Sequence, residues 1–379
     1  MLFRTPVLGD PERRAIERVR LLKERLSYAV NTSPRSWQGL LRRSALARAV
    51  RGSNSIEGYN VSVDDAIAVA EGEAPLAANA ETVAAVQGYQ AAMTYVLQLS
   101  DDPHFTYSDS LIRSLHFMMM QYDLSKNPGR WRPGPIYVRD EEKRANLYEG
   151  PSADVVPGLV RELVATLNAG ADDTTLPIVR AAMAHLNLVM IHPFSDGNGR
   201  MARCLQTLVL ARSGTLAPQF SSIEEYLGDH TRAYYNVLAE VGAGAWHPKR
   251  DAKPWVRFCL TAHYQQATKL LRRAREMDKL WNVLEEEIRH HHLPERVIYA
   301  LSDAAVGWRV RNATYRPVAE VSEQLAGRDL ILATKAGLLT ANGKGRGRYY
   351  ERAPRLLEIR ARTREPRIDL DDPFEAPSR

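Results

Sequence analysis

The segment IHPFSDGNGRMARCL, residues 191–205, constrains this chain more than any other. It lies between two apolar helical stretches and combines an imidazole, a carboxylate, a Gly-Asn-Gly turn and two arginines. Glycines let successive backbone N–H groups turn toward an anion, and the positive end of the following helix faces the same point. The segment therefore predicts a helix–loop–helix with an anion-binding site at its centre.

The glycine turn and the two arginines suit a polyphosphate. Gly197, Asn198 and Gly199 would cradle phosphate oxygens with their backbone. Arg200 and Arg203 are three residues apart, share one helix face and can bind phosphate bidentately. The alternative is a glycine-rich connection between two helices that binds nothing. The joint occurrence of these residue types favours an anion site.

The two remaining side chains of the loop suit catalysis. Asp196 precedes the glycine turn and can hold a magnesium ion that bridges two phosphates. His192 is the one residue of the segment that exchanges a proton near neutral pH, so it can deprotonate an incoming hydroxyl. We expect Phe194 to be buried and to fix the loop.

The segment resembles the signature of Fic-domain proteins, HxFx[D/E]GNGRxxR. The matching positions are His192, Phe194, Asp196, Gly197, Asn198, Gly199, Arg200 and Arg203. The resemblance extends over about residues 107–265. It implies a helical core that transfers AMP from ATP to a Ser, Thr or Tyr hydroxyl of a protein and releases pyrophosphate.

The resemblance also implies a role for each residue type. His192 would be the base, Asp196 would hold Mg²⁺, the glycine turn would cradle the phosphates and Arg203 would bind the β- and γ-phosphates. Relatives that transfer phosphate alone or phosphocholine depart from this loop pattern, so the intact residues 197–200 favour AMP.

Residues 129–150, GRWRPGPIYVRDEEKRANLYEG, predict a β-hairpin among helices, with strands near 136–139 and 147–148. An isolated hairpin is marginal in water, so it should be mobile or supported by its neighbours. In the family this hairpin is the flap that binds the target's backbone by strand addition. The flap would span about residues 135–148, and its docking residues would be Ile136, Tyr137, Val138 and Tyr148.

On the adenine side, Tyr234 and Tyr235 resemble a tyrosine pair that the family places near the base. Some members carry an asparagine further along the same helix. This chain has Gly242 at that position in an ungapped alignment, which is a departure from their pattern.

A second motif, SNSIEG at residues 53–58, resembles the family's inhibitory motif [S/T]xxxE[G/N] through Ser53, Glu57 and Gly58. If the helix ends at Gly58, Glu57 lies at the negative end of a helix dipole, where a carboxylate is disfavoured; such a broken rule often marks a functional position. The resemblance implies that Glu57 pairs with Arg203 and holds ATP in a non-productive pose, or that it positions a water that removes AMP. The alternatives are a solvated glutamate or a helix capped by Ser53.

Hydrophobic periodicity predicts a mainly α protein. The predicted helices are residues 11–30, 36–57, 63–71, 80–99, 108–122, 155–168, 177–190, 198–213, 224–241, 253–275, 277–292, 297–306, 318–326 and 329–336. A basic strand–turn–strand follows, GLLTANGKGRGRYYER, and suggests a winged helix. We divide the chain into an N-terminal helical region (1–106), a Fic-type core (107–265), a winged-helix domain (276–360) and a flexible tail (361–379).

Composition limits the remaining possibilities. Two cysteines in 379 residues exclude a disulfide scaffold, and no apolar run is long enough to span a bilayer, so we expect a cytoplasmic protein. The net charge of +6 permits an acidic partner. Lys344, Arg346 and Arg348 in the basic turn can contact DNA phosphates, or form a solvated turn. The alternatives to an AMP transferase are a nucleotide-sensing DNA-binding regulator and an enzyme that removes AMP. Self-association is a further possibility.

Overall fold

The computed structural model describes residues 1–31, 37–73, 75–140, 145–169, 176–214, 218–367 and 370–375. It is mainly helical, as predicted. The helices of the first half are α1 (Asp10–Asn31), α2 (Gln38–Ile56), α3 (Val63–Ala70), α4 (Ala80–Gln98), α5 (Asp109–Met120), α6 (Val156–Asn168), α7 (Pro177–Ile191) and α8 (Asn198–Ala211).

The second half contains most of the remaining elements. Its helices are α9 (Pro218–Ser221), α10 (Glu224–Asp229), α11 (Thr231–Gly242), α12 (Lys253–His290), α13 (Val297–Val306), α14 (Asn312–Ala319), α15 (Glu323–Lys335) and α16 (Pro354–Thr363). The strands are β1 (Tyr137–Asp140), β2 (Ala145–Glu149), β3 (Leu339–Asn342) and β4 (Tyr349–Arg352). Short 3₁₀ turns occur at Leu124–Lys126 and Gly345–Gly347.

The chain divides into two compact units. Unit 1 comprises Met1–Ser27, Ala45–Thr268 and Leu370–Arg379, and unit 2 comprises Tyr28–Ser44 and Lys269–Asp369. Unit 2 therefore includes a short segment that the sequence analysis assigned to the N-terminal region.

The core of unit 1 is built around α7 and α8. Every described residue of α7 from Ala181 to Ile191 is buried, and so is every residue of α8 from Arg200 to Ala211. A helix that is covered on all sides belongs to the centre of a fold rather than to its surface. Trp255 of α12 donates its indole N–H to the carbonyl of Ala182 at 2.7 Å, which fixes α12 against α7. The loop between α7 and α8 is thus held between two buried helices.

The predicted hairpin is present. Strands β1 and β2 pair antiparallel, with an irregularity between Val138 and Arg139, while residues 141–144 at its turn lie outside the described residues. The hairpin is anchored at its base, because Glu149 N donates to Gly244 O at 2.9 Å and Tyr148 Oη donates to Met190 O at 2.7 Å. The neighbours of the hairpin supply the support that an isolated hairpin lacks.

In unit 2, helices α13, α14 and α15 are followed by the β3–β4 hairpin. Val310, between α13 and α14, forms an antiparallel bridge with Tyr350 of β4. This order of elements is the one that suggested a winged helix, and that assignment stays a prediction.

Three helix predictions were wrong in their boundaries. The single helix expected at 224–241 is interrupted at His230, whose ring stacks on Tyr226 at 4.0 Å. The two helices expected at 253–275 and 277–292 are one helix, α12, because buried residues recur at helical spacing through the junction, including Ala274 and Met277.

The third wrong boundary concerns the pair expected at 318–326 and 329–336. The break lies inside the first of them, at residues 320–322, and α15 is continuous through residues 327–328, where the gap was expected. Glu320 ends α14 in the left-handed conformation with φ 54°, and Ser322 caps α15 by accepting from Leu325 N at 3.3 Å. Such a side-chain cap starts a helix more strongly than the hydrophobic spacing that we used.

The tail also differs from expectation over part of its length. Helix α16 continues to Thr363, beyond the predicted domain boundary. Phe374 is buried, and its carbonyl accepts from the Arg14 guanidinium at 3.1 Å. Residues 376–379 lie outside the described residues. Within the described ranges, no helix is long and apolar enough to cross a membrane.

Candidate active site

The α7–α8 loop is held by its own backbone and by one asparagine. His192 ends α7 in the left-handed conformation with φ 51°, and Gly197 precedes α8 with φ 72°. Asn198 accepts from Phe194 N and donates to Phe194 O, both at 2.8 Å. This reciprocal pair closes the loop over the first turn of α8. Phe194 is fully buried, as predicted.

His192 is oriented as a base. Its Nδ1 lies 2.9 Å from Val189 O. A carbonyl can only accept, so Nδ1 carries the proton and Nε2 has a free lone pair in the neutral ring. Burial lowers the pKa of His192, although the bond to Val189 and the charge of Glu57 oppose the shift. The imidazole is therefore neutral at pH 7 and able to accept a proton.

His116 packs against the α7–α8 loop and hydrogen-bonds to it. Its Nδ1 accepts from Gly129 N at 2.9 Å, so Nε2 carries the proton and donates to Asp196 O at 2.9 Å. The ring stacks on Phe194 with the centroids 3.6 Å apart. Burial lowers the pKa of His116 to about 4, so the ring stays neutral. His116 is fully buried, and it also fixes the carbonyl of Asp196.

The Asp196 carboxylate is partly exposed at the pocket. Its Oδ1 accepts from Gly197 N at 2.6 Å, and its Oδ2 lies 4.0 Å from Lys126 Nζ. One protein carboxylate together with substrate phosphates is a usual ligand set for Mg²⁺. Asp196 therefore fits the predicted metal position. No group of three or more candidate metal ligands occurs among the residues that the structure describes.

A pocket of about 270 Å³ lies over this loop. The loop and α8 contribute His192, Ser195, Asp196, Gly197, Asn198, Gly199 and Arg203; the remaining lining is Glu57, Ile136, Tyr137, Val138, Leu147, Tyr148, Val189, Met190, Tyr234, Tyr235, Leu238 and Ala239. The pocket brings together the predicted catalytic, metal, glycine-turn, flap and tyrosine residues. Of the predicted phosphate-binding side chains, only Arg200 is not part of its lining.

Arg203 is occupied by the SNSIEG segment. Its Nη2 donates to Glu57 Oε1 at 2.6 Å and to Ser53 O at 3.0 Å, and its Nε donates to Ser53 Oγ at 2.7 Å. The Arg203 side chain is completely buried and that of Glu57 is 24% exposed. The predicted contact between Glu57 and Arg203 is present.

The charges of this pair stabilise each other. Burial opposes the ionisation of Glu57, but Arg203 and Arg200 outweigh it, so the pKa of Glu57 is lowered. Burial likewise disfavours the charge of Arg203, and Glu57 more than compensates by raising its pKa. The carboxylate also lies on the glycine turn, because a Cβ added to Gly199 would be 2.5 Å from Glu57 Oε1. Glu57 thus covers the backbone on which we expect phosphates to bind.

The location of Glu57 agrees with the dipole argument. Helix α2 ends at Ile56, so Glu57 follows the last helical residue, and Gly58 turns the chain with φ 86°. The carboxylate is disfavoured by the helix end and is compensated by two arginines of another helix.

Ser53 connects Arg203 to a second buried carboxyl group. Its hydroxyl accepts from Arg203 and also hydrogen-bonds to Tyr89 of α4. Tyr89 Oη lies 2.8 Å from Glu224 Oε2, and Thr207 Oγ1 lies 3.0 Å from Glu224 Oε1. A guanidinium only donates, so the chain of hydroxyls runs from Arg203 toward Glu224. Burial raises the pKa of Glu224 to about 7 in spite of these hydrogen bonds.

The backbone of α2 is in close contact with α10 at the same place. A Cβ on Gly52 would lie 2.3 Å from Glu224 O, and a Cβ on Gly228 would lie 2.7 Å from Gly52 Cα. Only glycines permit this approach. The sequence analysis missed Tyr89, Glu224 and this glycine contact. A possible signal was the acidic pair 224–225 within an otherwise apolar stretch.

Arg200 contacts Tyr59, which follows the SNSIEG segment in the sequence. It is buried, with its guanidinium carbon 5.1 Å from the centre of the Tyr59 ring and its Nη2 2.8 Å from Met120 Sδ. Tyr122 Oη lies 3.4 Å from both terminal nitrogens. Arg200 therefore packs against the residue that follows Gly58. The sequence analysis did not consider Tyr59 as a contact of the loop.

The two tyrosines on α11 differ in their environments. Tyr234 is buried, and its hydroxyl lies 3.0 Å from His185 Nε2. Tyr235 is 41% exposed, and its hydroxyl donates to Ile56 O at 3.3 Å. Further along α11, Gly242 packs against the flap, since a Cβ there would lie 3.1 Å from the Tyr148 ring. The departure from asparagine at this position therefore makes room for an aromatic ring of the flap.

Three comparisons place this geometry among known proteins. Residues 106–210 match the family model described as Fic/DOC family. Protein adenylyltransferase fic-1 of Caenorhabditis elegans is 37% identical over 131 residues, which cover 34% of this chain and 22% of that protein. Protein adenylyltransferase Fic of Nematostella vectensis is 28% identical over 223 residues, covering 54% of this chain and 44% of that protein. The chain thus spans from about a fifth to under half of the length of these curated relatives.

Solved structures extend the likeness to most of the chain. A Fic family protein from Desulfovibrio desulfuricans aligns with a TM-score of 0.60 at 21% identity, covering 92% of this chain and 98% of that one. A fragment of C. elegans Fic-1 aligns with a TM-score of 0.51 at 25% identity, covering 69% and 72%. The fold is that of Fic proteins. Residues 106–210 are a Fic/DOC-family domain.

Proposed function

We propose that this protein is an autoinhibited protein adenylyltransferase, which transfers AMP from ATP to a Ser, Thr or Tyr hydroxyl of a protein. The observation that carries the proposal is the pocket in which His192 Nε2, the Gly197–Gly199 turn and Arg203 meet, with Glu57 on the arginine. The curated relatives that match the Fic-domain region are named protein adenylyltransferases.

In the proposed reaction, the target hydroxyl oxygen attacks the α-phosphorus of ATP. A new P–O bond forms, the bond between the α-phosphorus and the bridging oxygen breaks, and pyrophosphate leaves with that electron pair. His192 Nε2 takes the hydroxyl proton, and its Nδ1–H bond to Val189 O holds the ring in place during the transfer. The backbone of residues 197–199 and the start of α8 would receive the phosphates.

Asp196 would hold a magnesium ion, whose positive charge would offset charge on the phosphates. Arg203 would bind the β- and γ-phosphates once Glu57 leaves it. Tyr234 and Tyr235 line the other wall of the pocket and are the candidates for contact with adenine. Ile136, Tyr137 and Val138 on β1 and Tyr148 on β2 border the pocket, where a target strand would pair with the flap.

Autoinhibition follows from competition for one guanidinium. Arg203 cannot give Nη2 to Glu57 and to a γ-phosphate at the same time, and the Glu57 carboxylate would repel phosphate from the glycine turn. ATP bound beside Glu57 would lack the contact that orients its phosphates. We propose that the Ser53–Gly58 segment keeps basal activity low in this way.

The test is AMP transfer from labelled ATP with purified protein and Mg²⁺. The Glu57→Gly variant should label itself and proteins of a lysate, and mass spectrometry should find a Ser, Thr or Tyr that carries AMP. The double variant Glu57→Gly/His192→Ala is the matched control and should transfer at least about a hundredfold more slowly. If Glu57→Gly transfers no AMP to itself or to any lysate protein, the proposal is wrong.

Charge segregation supports a second candidate function, DNA binding by unit 2. Unit 2 contains 24 Lys and Arg residues against 14 Asp and Glu residues, a net charge of +10; unit 1 contains 27 against 31, a net charge of −4. Lys344 and Arg348 in the turn between β3 and β4 are exposed, as are Arg328 and Lys335 on α15. A basic face beside a hairpin suits phosphate contacts. The side chain of Arg346 lies outside the described part.

The full chain should bind a mixed-sequence duplex with an affinity that falls steeply as salt rises. The variant Lys344→Ala/Arg348→Ala should weaken binding, and Lys249→Ala, an exposed lysine of unit 1, should not. Equal binding by both variants would exclude this surface.

A further inference from the structure

Arg132, which follows Trp131 in the segment before β1, contacts both the flap and the α7–α8 loop. Its Nε donates to His192 O at 2.8 Å and its Nη1 donates to Gly134 O at 2.6 Å, while its Nη2 bonds to Pro151 O. Its backbone N–H donates to Pro193 O at 2.9 Å. One side chain thus joins three separate stretches of backbone.

These stretches are the parts that the proposed reaction must keep in register. Gly134 precedes β1, and Pro151 follows β2, so the guanidinium binds both stems of the flap. The third carbonyl belongs to the proposed base itself. A hydroxyl presented by the flap must reach His192 Nε2 at hydrogen-bonding distance, and a misplacement of about 1 Å can cost about a hundredfold in rate.

The environment of Arg132 is unusual for a buried cation. The residue is 4% exposed and forms no ion pair with any residue in the described ranges. Burial lowers its pKa, although an arginine remains charged at neutral pH. Backbone carbonyls take the place of a carboxylate, including that of His192 at the negative end of α7. An apolar side chain of similar length would fill the same volume but would leave these three carbonyls without a hydrogen-bond donor, so Arg132 does more than fill space.

We propose that Arg132 is a positioning residue for AMP transfer. Its guanidinium group fixes the distance between the target-binding flap and His192. The proposal rests on the proposed function, because that function assigns the target to the flap. Arg132 acts through His192 and the flap stems, and it does not line the nucleotide pocket. Loss of Arg132 should therefore impair transfer without impairing nucleotide binding.

The test uses the full chain with Glu57→Gly, to which Arg132→Met or Arg132→Lys is added. Self-modification at saturating ATP should fall about tenfold to a hundredfold in Arg132→Met. Arg132→Lys should retain part of the rate, because a lysine keeps the charge and some of the donors but not the planar fork. The dissociation constant for ATP with Mg²⁺, measured by calorimetry, should change by less than about twofold. Arg130→Met, an exposed arginine two residues upstream, is the matched control and should behave as the parent does.

A structural role without positioning would give a different pattern. Arg132→Met would then weaken ATP binding in proportion to the rate, or lower the melting temperature without a rate change in the folded protein. Either pattern, or an unchanged rate, overturns the proposal.

A second measurement does not depend on activity. Amide hydrogen exchange should be faster in Arg132→Met for the peptides that contain Ile136 and Glu149–Gly150, and unchanged for α8. Unchanged exchange in the flap stems would also overturn the proposal. The Glu57→Gly parent could transfer no AMP while the flap exchange responds as expected. The proposed function would then be wrong, but the structural connection that Arg132 makes between the flap and the α7–α8 loop would stand.

Discussion

Two buried arginines near the catalytic loop are held in opposite ways. Arg203 binds a carboxylate that lies 146 residues away in the sequence, on the segment that ends α2. Arg132 binds only backbone carbonyls, two of them within 19 residues of it. Another anion can replace Glu57 as the partner of Arg203. The partners of Arg132 are backbone carbonyls, which are part of the fold itself.

Under the proposed function, this difference would let one site combine a switch with a fixed geometry. A side-chain carboxylate competes directly with a phosphate for a guanidinium. Both are oxyanions that accept hydrogen bonds from the same pair of guanidinium N–H groups. A carbonyl is neutral and does not compete with a ligand for the site. We therefore expect Arg203 to change partners during the reaction and Arg132 to keep the same partners throughout.

The largest expected effect concerns His192, the proposed base. His192→Ala in the Glu57→Gly background should lower AMP transfer by about 10²- to 10⁴-fold, the usual contribution of a general base. ATP binding should persist, because Arg203 and the glycine turn remain. Labelled ATP measures the rate and calorimetry measures the binding. A rate near that of the parent would remove His192 from its role.

Glu224, which lies at the far end of the hydroxyl chain from Arg203, gives a prediction about how the stability depends on pH. The pKa of Glu224 is about 7 in the folded protein and about 4.5 in the unfolded chain, so the folded state holds a proton that the unfolded state has lost. The stability that this group contributes is full below pH 4.5 and declines as the pH rises to 7, by about 3 kcal/mol. Glu224→Gln does not titrate and should lack this decline. Denaturant unfolding of both proteins at pH 4.5 and pH 8 measures it; equal declines would contradict the assignment.

Release of Arg203 should give a smaller effect of opposite direction on activity. Glu57→Gly should raise AMP transfer about tenfold to a hundredfold, at about 1.4 kcal/mol for each factor of ten. Glu57→Gln keeps the shape but not the charge, so its rate should lie between those of wild type and Glu57→Gly. Initial rates with purified protein distinguish the three. An unchanged rate in both variants would mean that Glu57 does not inhibit.

The smallest expected effect tests the hydroxyl chain. Tyr89→Phe removes the link between Ser53 and Glu224 but leaves the ion pair of Arg203 intact. One hydrogen bond between neutral groups is worth about 0.5–1.5 kcal/mol, so basal transfer should rise about twofold to tenfold. In the Glu57→Gly background the same change should have little effect. Tyr95→Phe, an exposed tyrosine of the same helix, is the control.

The sequence predicted the candidate site better than it predicted the framework around it. His192, Asp196 and the glycine turn all lie within residues 192–199, so one short segment of the sequence defines the loop on which their chemistry depends. Glu57 was identified because residues 53–58 resemble the inhibitory motif of the family, and its position at the end of a helix supported that interpretation. Arg132, Tyr89 and Glu224 were missed because their partners come from separate elements, which the local sequence does not show.

The helix boundaries failed for a related reason. Hydrophobic spacing detected most of the helices but missed α9, α14 and α16, and it does not register a cap such as Ser322 or a continuation such as that through Met277 in α12. Burial of Phe374 in the tail likewise depends on residues of α1 and α12 that contact it, Arg14 and Arg257. Such contacts cannot be predicted from the local sequence.

The sequence by itself determined the helical character, the flap hairpin and the set of side chains at the α7–α8 loop, because periodicity, turn residues and a contiguous motif are local properties. The tertiary structure alone decided that Arg203 is paired with Glu57 over Gly199, that Arg200 is covered by Tyr59, and that Arg132 joins the flap to His192. These are contacts between segments far apart in the chain, and their geometry depends on how buried helices pack and on where desolvated charges find compensation.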